Sequence, residues 1–394
     1  MPSITVMLKP ASGLCTMRCT YCFYADEVAA RRVPCCGVMS EDVLRGVLAR
    51  VLDYATDRCT IAFQGGEPTL AGLPFYRRLI ELERELNVHG AAISHALQTN
   101  GCDLDDEWAA FFAEHDFLVG VSLDGDRDIH DANRVDVEGR GTFDRVMASI
   151  GLLKKHGVRF NILSVVTEQS ARRTQSTGRF FERRGLDFQQ YIPCLDPLDE
   201  EPGGHAWSLT SDGFEQHLKT SFDQWYRAAQ RGEMRYHRFF VNLLNLMDGQ
   251  RPEACDLCGA CSRQLVVEAD GSVYPCDFYM LDEYRLGNLV TDTLDEIERA
   301  RDELGFVQAS AALKASCAGC AWERLCRGGC RRYWEPRWGV RRRLPETASA
   351  TRTKASSRTP IRNSAACWGS SGESNEHERS AAGRTREIKG GCCI

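Results

Sequence analysis

The stretch KPASGLCTMRCTYCFY, Lys9 to Tyr24, sets Cys15, Cys19 and Cys22 on one short segment, with three residues and then two between them. Three thiolates so placed can ligate three irons of a [4Fe–4S] cluster and leave the fourth iron open to a small molecule. A structural zinc site takes four ligands, so this trio is one short for zinc. Just upstream, Ile4 to Leu8 reads as a strand, which puts the thiols at a strand end, where parallel α/β folds place their sites.

Outward from that loop the chain alternates strand and helix patterns. Apolar or alternating runs occur at Ile4 to Leu8, Thr60 to Phe63, Ile93 to Leu97, Leu118 to Leu123, Arg159 to Val166 and Asp187 to Ile192. Helical periodicity fills the gaps at Ser40 to Tyr54, Pro74 to Leu86, Asp105 to Glu114, Thr142 to His156 and Ala171 to Arg184, the first opening on a serine cap. Repeated βα units predict a parallel sheet with right-handed crossovers, in an open sheet or a barrel. Six units are too few for a closed eightfold barrel. Two aromatic-rich helices are expected between Thr210 and Gly249. Beyond them QLVVEADGSVYPC (Gln264 to Cys276) reads as a hairpin turning on Asp270-Gly271, and Thr293 to Leu304 as a helix.

The 394 residues are 43% hydrophobic and 26% charged, with net charge -6 and a pI near 5.9, which argues against a protein that grips nucleic acid through a broad basic face. No signal-peptide pattern opens the sequence and no run of 18 apolar residues occurs, so a cytoplasmic protein without membrane attachment is expected. Nineteen cysteines are many for such a protein. In a reducing compartment their grouping points to metal or redox chemistry rather than disulfides. Besides the first trio there is a middle set, Cys255, Cys258, Cys261 and Cys276, and a late set, Cys317, Cys320, Cys326 and Cys330. Cys35, Cys36, Cys59, Cys102 and Cys194 read as small apolar residues with no ligand role.

FQGGEPTLAG (Phe63 to Gly72) follows the second strand, and its paired glycines let backbone approach a ligand closely, although alone they fit a tight turn as well. With CTYCFY, ALQTNG (Ala96 to Gly101), VSLDG (Val121 to Gly125), FNILSVVT (Phe160 to Thr167), YIPCLDPL (Tyr191 to Leu198) and DGSVYPCDFY (Asp270 to Tyr279), the chain resembles the anaerobic sulfatase-maturating enzymes of the radical S-adenosylmethionine superfamily. The ordered motifs span about residues 1 to 336. The resemblance implies an α/β fold: a partial (β/α)6 radical SAM barrel over residues 1–200, a helical linker region over 201–254, and a cysteine-rich auxiliary-cluster domain of the SPASM type over 255–336. A disordered or frame-shifted tail, 337–394, completes the expected organisation.

By the same resemblance, Cys15, Cys19 and Cys22 hold the catalytic cluster, and Tyr21, Gly66, Ser122, Arg134 and Leu195 line S-adenosylmethionine. Arg134 has a physical task there, because a guanidinium can clamp a carboxylate through two parallel hydrogen bonds. Cys255, Cys261, Cys276 and Cys330 would hold one auxiliary [4Fe–4S] cluster. Cys317, Cys320 and Cys326 would hold a second, whose fourth cysteine the family pattern puts 15 to 25 residues downstream. This chain departs there: after Cys330 the next cysteine is Cys367, followed by Cys392 and Cys393. Cys258 is unassigned. Asp277, which on sequence alone fits a turn cap, becomes the general base, and Tyr24, Gln64, Gln98 and Asn100 become peptide-positioning residues.

The implied reaction is oxidation of a cysteine or serine in an unfolded or nascent sulfatase polypeptide to Cα-formylglycine. A 5′-deoxyadenosyl radical removes the β-hydrogen, Asp277 takes the thiol or hydroxyl proton, and auxiliary clusters take the second electron. A monomer served by an electron donor such as flavodoxin or ferredoxin is expected, with no nucleic-acid partner. Two other readings stand beside it: a related radical peptide maturase making thioether or carbon–carbon crosslinks, and a zinc-stabilised scaffold without catalysis.

After Pro336 the composition changes. The last 58 residues contain only Val340, Leu344, Ile361, Ile388 and Ile394 from the set Ile, Leu, Val, Phe and Met. They carry 12 Lys/Arg against 5 Asp/Glu, a net +7, which leaves -13 on the first 336 residues. Such a segment cannot bury a core. It is expected to be a reading-frame artefact or a truncation of the native ending.

Overall fold

The computed structural model describes residues 2–198, 200, 202–312, 317 and 319–333. The tail expected beyond Pro336, with Cys367, Cys392 and Cys393, lies outside the described residues.

The chain opens with β1 (Ile4–Leu8), the cysteine loop and α1 (Phe23–Ala30). It continues through α2 (Glu41–Tyr54), β2 (Arg58–Phe63), α3 (Leu73–Leu86), β3 (Ala92–Thr99), α4 (Asp106–Glu114) and β4 (Leu118–Ser122). Next come α5 (Arg127–Asp131), α6 (Phe143–Lys155), β5 (Arg159–Val166), α7 (Glu168–Arg172), α8 (Thr174–Arg184) and β6 (Phe188–Pro193). β1 to β6 pair in sequence order, all parallel.

The helices start where short polar residues satisfy the free backbone N–H groups of a first turn. Ser40 accepts from Val43 N at the start of α2, and Asp105 from Trp108 N at the start of α4. In α2 the residues Leu44, Val47, Leu48, Val51 and Leu52 fall on one stripe and are all fully buried. Each is worth roughly 1.5 to 3 kcal/mol of apolar burial, which is why α2 lies on the sheet and keeps Arg45 and Arg50 outside.

One expected element is corrected. The single helix read over Ala171 to Arg184 is two, α7 and α8, broken at Arg173 (φ -110°, ψ 15°). The first begins earlier because Thr167 and Ser170 form a reciprocal cap. At the break, the Thr174 hydroxyl meets Ala171 O at 2.7 Å and His217 Nδ1 at 2.9 Å, contacts that no local pattern reveals.

After β6 come α9 (Ser211–Gln230), β7 (Tyr236–His237) and α10 (Arg238–Met247), matching the two expected helices. The expected hairpin is β8 (Leu265–Val267) and β9 (Ser272–Tyr274), turning through Asp270 and Gly271, whose φ of +85° suits glycine. β10 (Gly287–Asn288) and α11 (Leu294–Leu304) follow.

The hairpin does not stand apart from the barrel. β8 pairs parallel to β1, matching Val6 with Leu265 and Leu8 with Val267, so one ten-stranded sheet runs β10-β9-β8-β1-β2-β3-β4-β5-β6-β7. This pairing joins the auxiliary segment to β1, and beyond β9 the Asp277 side chain reaches Lys9 and Gln64, the residues that follow β1 and β2.

Candidate active site

The first cysteine loop is held from two sides. Arg18 N donates to Val135 O at 2.8 Å and Thr20 N to Asn133 O at 3.0 Å, which fastens it to the segment after α5. On the other side Glu67 N donates to Leu14 O at 2.7 Å. Gly66, with φ +51°, lies so close that a Cβ would stand 2.2 Å from Leu14 O and 2.7 Å from Ser12 O. These are backbone atoms and cannot swing aside. Gly66→Ala is therefore expected to displace the cysteine loop and to weaken S-adenosylmethionine binding at least tenfold in equilibrium dialysis, by the close-approach argument for glycine; parent-like binding would contradict it.

The three thiols are brought together. Burial pushes Cys15 up to about 11, with Glu67 and Cys22 adding to the rise, while the Met17 N–H and the Asn100 amide oppose it. Burial pushes Cys19 up to about 12; Cys22 and Cys15 add to the rise, and the Arg134 guanidinium opposes it. Buried thiols that repel one another's charge become thiolates only around a compensating cation, so the trio fits an iron cluster. Among the described residues no three or more His, Cys, Asp or Glu are set to hold a single metal ion.

Cys330 of the late set lies with Cys255, Cys261 and Cys276 of the middle set. Burial raises Cys276 and Cys330 well above the thiol range, and each feels Cys255 and Cys261. Cys326 is raised by burial and then by Cys317 and Cys320. Cys258 sets its thiol on Pro252 O at 3.8 Å and Ala254 O at 3.6 Å, and its charge is felt by Cys255.

The residues expected to line S-adenosylmethionine ring one end of the sheet, but several are engaged with protein. The Arg134 guanidinium clamps Asp124, through Nε at 3.0 Å and Nη2 at 3.2 Å, and the Tyr21 hydroxyl donates to the same carboxylate. Asp124 also accepts from Val165 N at 2.9 Å, so this buried aspartate, missed in the sequence, ties the cysteine loop to β5. Ser122 accepts from Gln98 Nε2 at 3.3 Å. The Leu195 carbonyl faces the Cys194 thiol at 3.9 Å.

Of the residues expected to position a peptide, Gln64 reaches Asp277 directly, its Nε2 donating to Asp277 Oδ2 at 2.7 Å. The other Asp277 oxygen takes the Lys9 ammonium, a second residue that sequence reasoning missed. Asn100 instead braces the cysteine loop, with Nδ2 at 3.2 Å from Thr16 Oγ1 and 3.9 Å from Cys15 Sγ. Its backbone N–H and the Thr99 hydroxyl donate to Glu67, a buried carboxyl that joins the ends of β2 and β3. Tyr24 turns its hydroxyl to Glu268 at 3.1 Å, where Arg31 pairs with Glu268 at 2.5 Å in a buried network linking α1 to the hairpin.

The model of the Radical SAM superfamily matches residues 10–179, and that of an iron-sulfur cluster-binding domain, SPASM, matches 255–321. The fold and thiol sets thus define a radical SAM enzyme with an auxiliary-cluster domain. The cysteine-type anaerobic sulfatase-maturating enzyme of Clostridium novyi (strain NT) is 40% identical over 336 residues, 85% of this chain and 90% of that protein. The serine-type enzyme of Bacteroides thetaiotaomicron is 30% identical over 341 residues, 82% of each. The solved structure "Native anSMEcpe with bound AdoMet and Cp18Cys peptide" superposes with a TM-score of 0.80 at 43% identity, covering 84% of this chain and 90% of that one. The chain belongs to the family of anaerobic sulfatase-maturating enzymes, radical SAM enzymes that use [4Fe–4S] clusters and S-adenosylmethionine to generate formylglycine.

Proposed function

We propose that this chain oxidises a cysteine, presented in a sulfatase polypeptide, with Asp277 as general base. The cysteine assignment is supported by the 40–44% identity to cysteine-type relatives against 30% to serine-type ones. When bound, the open-iron cluster and S-adenosylmethionine supply a 5′-deoxyadenosyl radical that removes the β-hydrogen. The second electron would leave through an auxiliary cluster, and water would hydrolyse the resulting thioaldehyde to the aldehyde with release of sulfide, while the chain's own residues handle the proton and the placement. Asp277 accepts the thiol proton at a carboxylate oxygen, and Gln64 fixes that carboxylate through its other side. Tyr21, Gly66, Ser122, Arg134 and Leu195 are the S-adenosylmethionine lining, with Arg134 oriented by Asp124. Tyr24, Gln64, Gln98 and Asn100 surround the peptide, Tyr24 and Asn100 as supports from behind.

The observation that carries this reading is the arrival of Asp277, on an auxiliary-cluster segment, at the carboxyl end of β1, where it meets Gln64 from the end of β2. The enzyme works as a monomer that takes electrons from a flavodoxin or ferredoxin. Among the described residues no helix is long and apolar enough to cross a membrane.

The test is anaerobic reconstitution with iron, sulfide and zinc analysis, followed by mass spectrometry of a cysteine peptide. The expected content is about 8 to 12 irons per chain, four for each of two or three clusters. A zinc-only preparation would contradict the reading. The sequence has no cysteine between Cys330 and Cys367, where the family pattern puts the fourth ligand of the Cys317, Cys320 and Cys326 set, so the second auxiliary cluster should be the first lost on chelation.

A further inference from the structure

Lys9 is the last residue before the loop Pro10 to Leu14, and the reading above gives it no part. Its backbone N–H donates to Val267 O at 2.8 Å, so its main chain is fastened to β8. The residue is fully buried. Its stem lies across Gly65, whose φ is +99°, and a Cβ there would stand 2.2 Å from Lys9 Cδ and 2.9 Å from Nζ. The ammonium sits 4.4 Å from the centre of the Tyr24 ring and ends on Asp277 Oδ1. A buried, desolvated ammonium with this surround is costly unless it is paired.

We propose that Lys9 is a positioning residue for the reaction: its ammonium, guided over the bare backbone of Gly65 and the face of Tyr24, holds the Asp277 carboxylate at the angle at which it meets the substrate thiol. This rests on the reading of Asp277 as the base. Gln64 alone would leave the carboxylate a pivot about one hydrogen bond. With Lys9 on Oδ1 and Gln64 on Oδ2, both oxygens are fixed. The two anchors come from the carboxyl ends of adjacent strands, β1 and β2, so the carboxylate is indexed to the sheet and not only to its own short turn, Asp277–Tyr279. The network on Arg31 and Glu268 performs the same service for Tyr24, holding its hydroxyl from behind.

A second carboxyl, Glu27, lies buried nearby with Oε2 unpartnered. Burial and then the charge of Asp277 raise its pKa well above the carboxylate range, against the opposing pull of Lys9, Arg332 and Arg31. The geometry tells the two apart: the Lys9 ammonium ends on Asp277 Oδ1, while Glu27 Oε2 takes no hydrogen bond.

The test uses the reconstituted full chain with a cysteine peptide, measuring 5′-deoxyadenosine and formylglycine in the same anaerobic reaction. Lys9→Met keeps the stem and removes the charge. It is expected to keep parent-like iron content and 5′-deoxyadenosine formation, while formylglycine per 5′-deoxyadenosine falls roughly tenfold to a hundredfold, the scale of a misplaced reacting group. A purely structural role would lower both products together. Gly65→Ala, which pushes Lys9 aside and leaves every charge in place, should reproduce the uncoupling. It decides the matter if Lys9→Met fails to take up iron. A parental ratio in Lys9→Met, or in Gly65→Ala when that variant must decide, overturns the proposal, as does equal uncoupling by Glu27→Gln. If Asp277→Asn itself keeps the parental ratio, the base assignment falls first and the role of Lys9 falls with it; a low ratio there beside a parental one in Lys9→Met overturns the Lys9 proposal alone.

Discussion

Cys15→Ala or Cys22→Ala abolishes 5′-deoxyadenosine formation while leaving the sheet folded. Two remaining thiolates cannot keep an open-iron [4Fe–4S] cluster in a reactive state, because the three protein ligands are what leave one iron free. The fold should survive because neither thiol carries a structural bond of consequence. Cys22 is the N-cap of α1 but makes no side-chain capping bond. Cys15 accepts one weak contact from Met17 N at 3.4 Å and another from Asn100 at 3.9 Å. The loop is instead held by backbone bonds to Val135, Asn133 and Glu67, which the substitutions do not touch. The check is parent-like circular dichroism together with no 5′-deoxyadenosine above a no-enzyme control. Formation at the parent rate in either variant would remove the trio from the catalytic assignment.

Asp277→Asn loses most formylglycine, by about 10²- to 10⁴-fold, the usual cost of removing a general base. The substitution keeps the shape at the end of the Lys9 stem and an oxygen for Gln64 Nε2, so cofactor binding and cluster content should persist. One structural cost is expected: the Lys9 ammonium, fully buried, loses its anionic partner. Thermal unfolding of the variant therefore separates a destabilised enzyme from an inactive one. Near-parent turnover would return Asp277 to a turn-capping role beside Cys276.

The strands and the cysteine groups are legible because both are local. Apolar runs give β1 to β6 to within two residues at either end, and thiol spacing marks the three cysteine groups, whereas the placing of Cys330 with the middle set comes from the family resemblance. The break at Arg173 was hidden, since it depends on Thr174 meeting His217 of α9. The pairing of β8 with β1 was hidden for a similar reason, and with it the unbroken sheet that brings the auxiliary segment to the active site.

The site residues missed by the sequence are charged groups whose partners are distant in the chain. Lys9 and Asp277 are 268 positions apart and Arg31 and Glu268 are 237 apart. A lone lysine before a proline carries no signal of such a partner. Asp124 lies in the VSLDG segment two residues after Ser122, and nothing in that local pattern marks it as the buried partner of distant residues. Only the fold shows that Asp124 occupies both the Arg134 guanidinium and the Tyr21 hydroxyl. Asn100 follows β3 and Tyr24 lies in the first turn of α1, and the hydrogen bonds of their polar atoms, to the cysteine loop and to Glu268, depend on partners far off in the chain.

The central claim is that this barrel and its auxiliary segment together convert a peptide cysteine to an aldehyde. The most direct measurement is mass spectrometry of a sulfatase-derived cysteine peptide after anaerobic reaction with the reconstituted enzyme, S-adenosylmethionine and a reductant, with and without hydrazine trapping. The account predicts loss of the sulfur, a mass matching Cα-formylglycine and a hydrazone adduct at that residue. A product that keeps its sulfur, loses only two hydrogens and forms no hydrazone would show a crosslink instead and would contradict it.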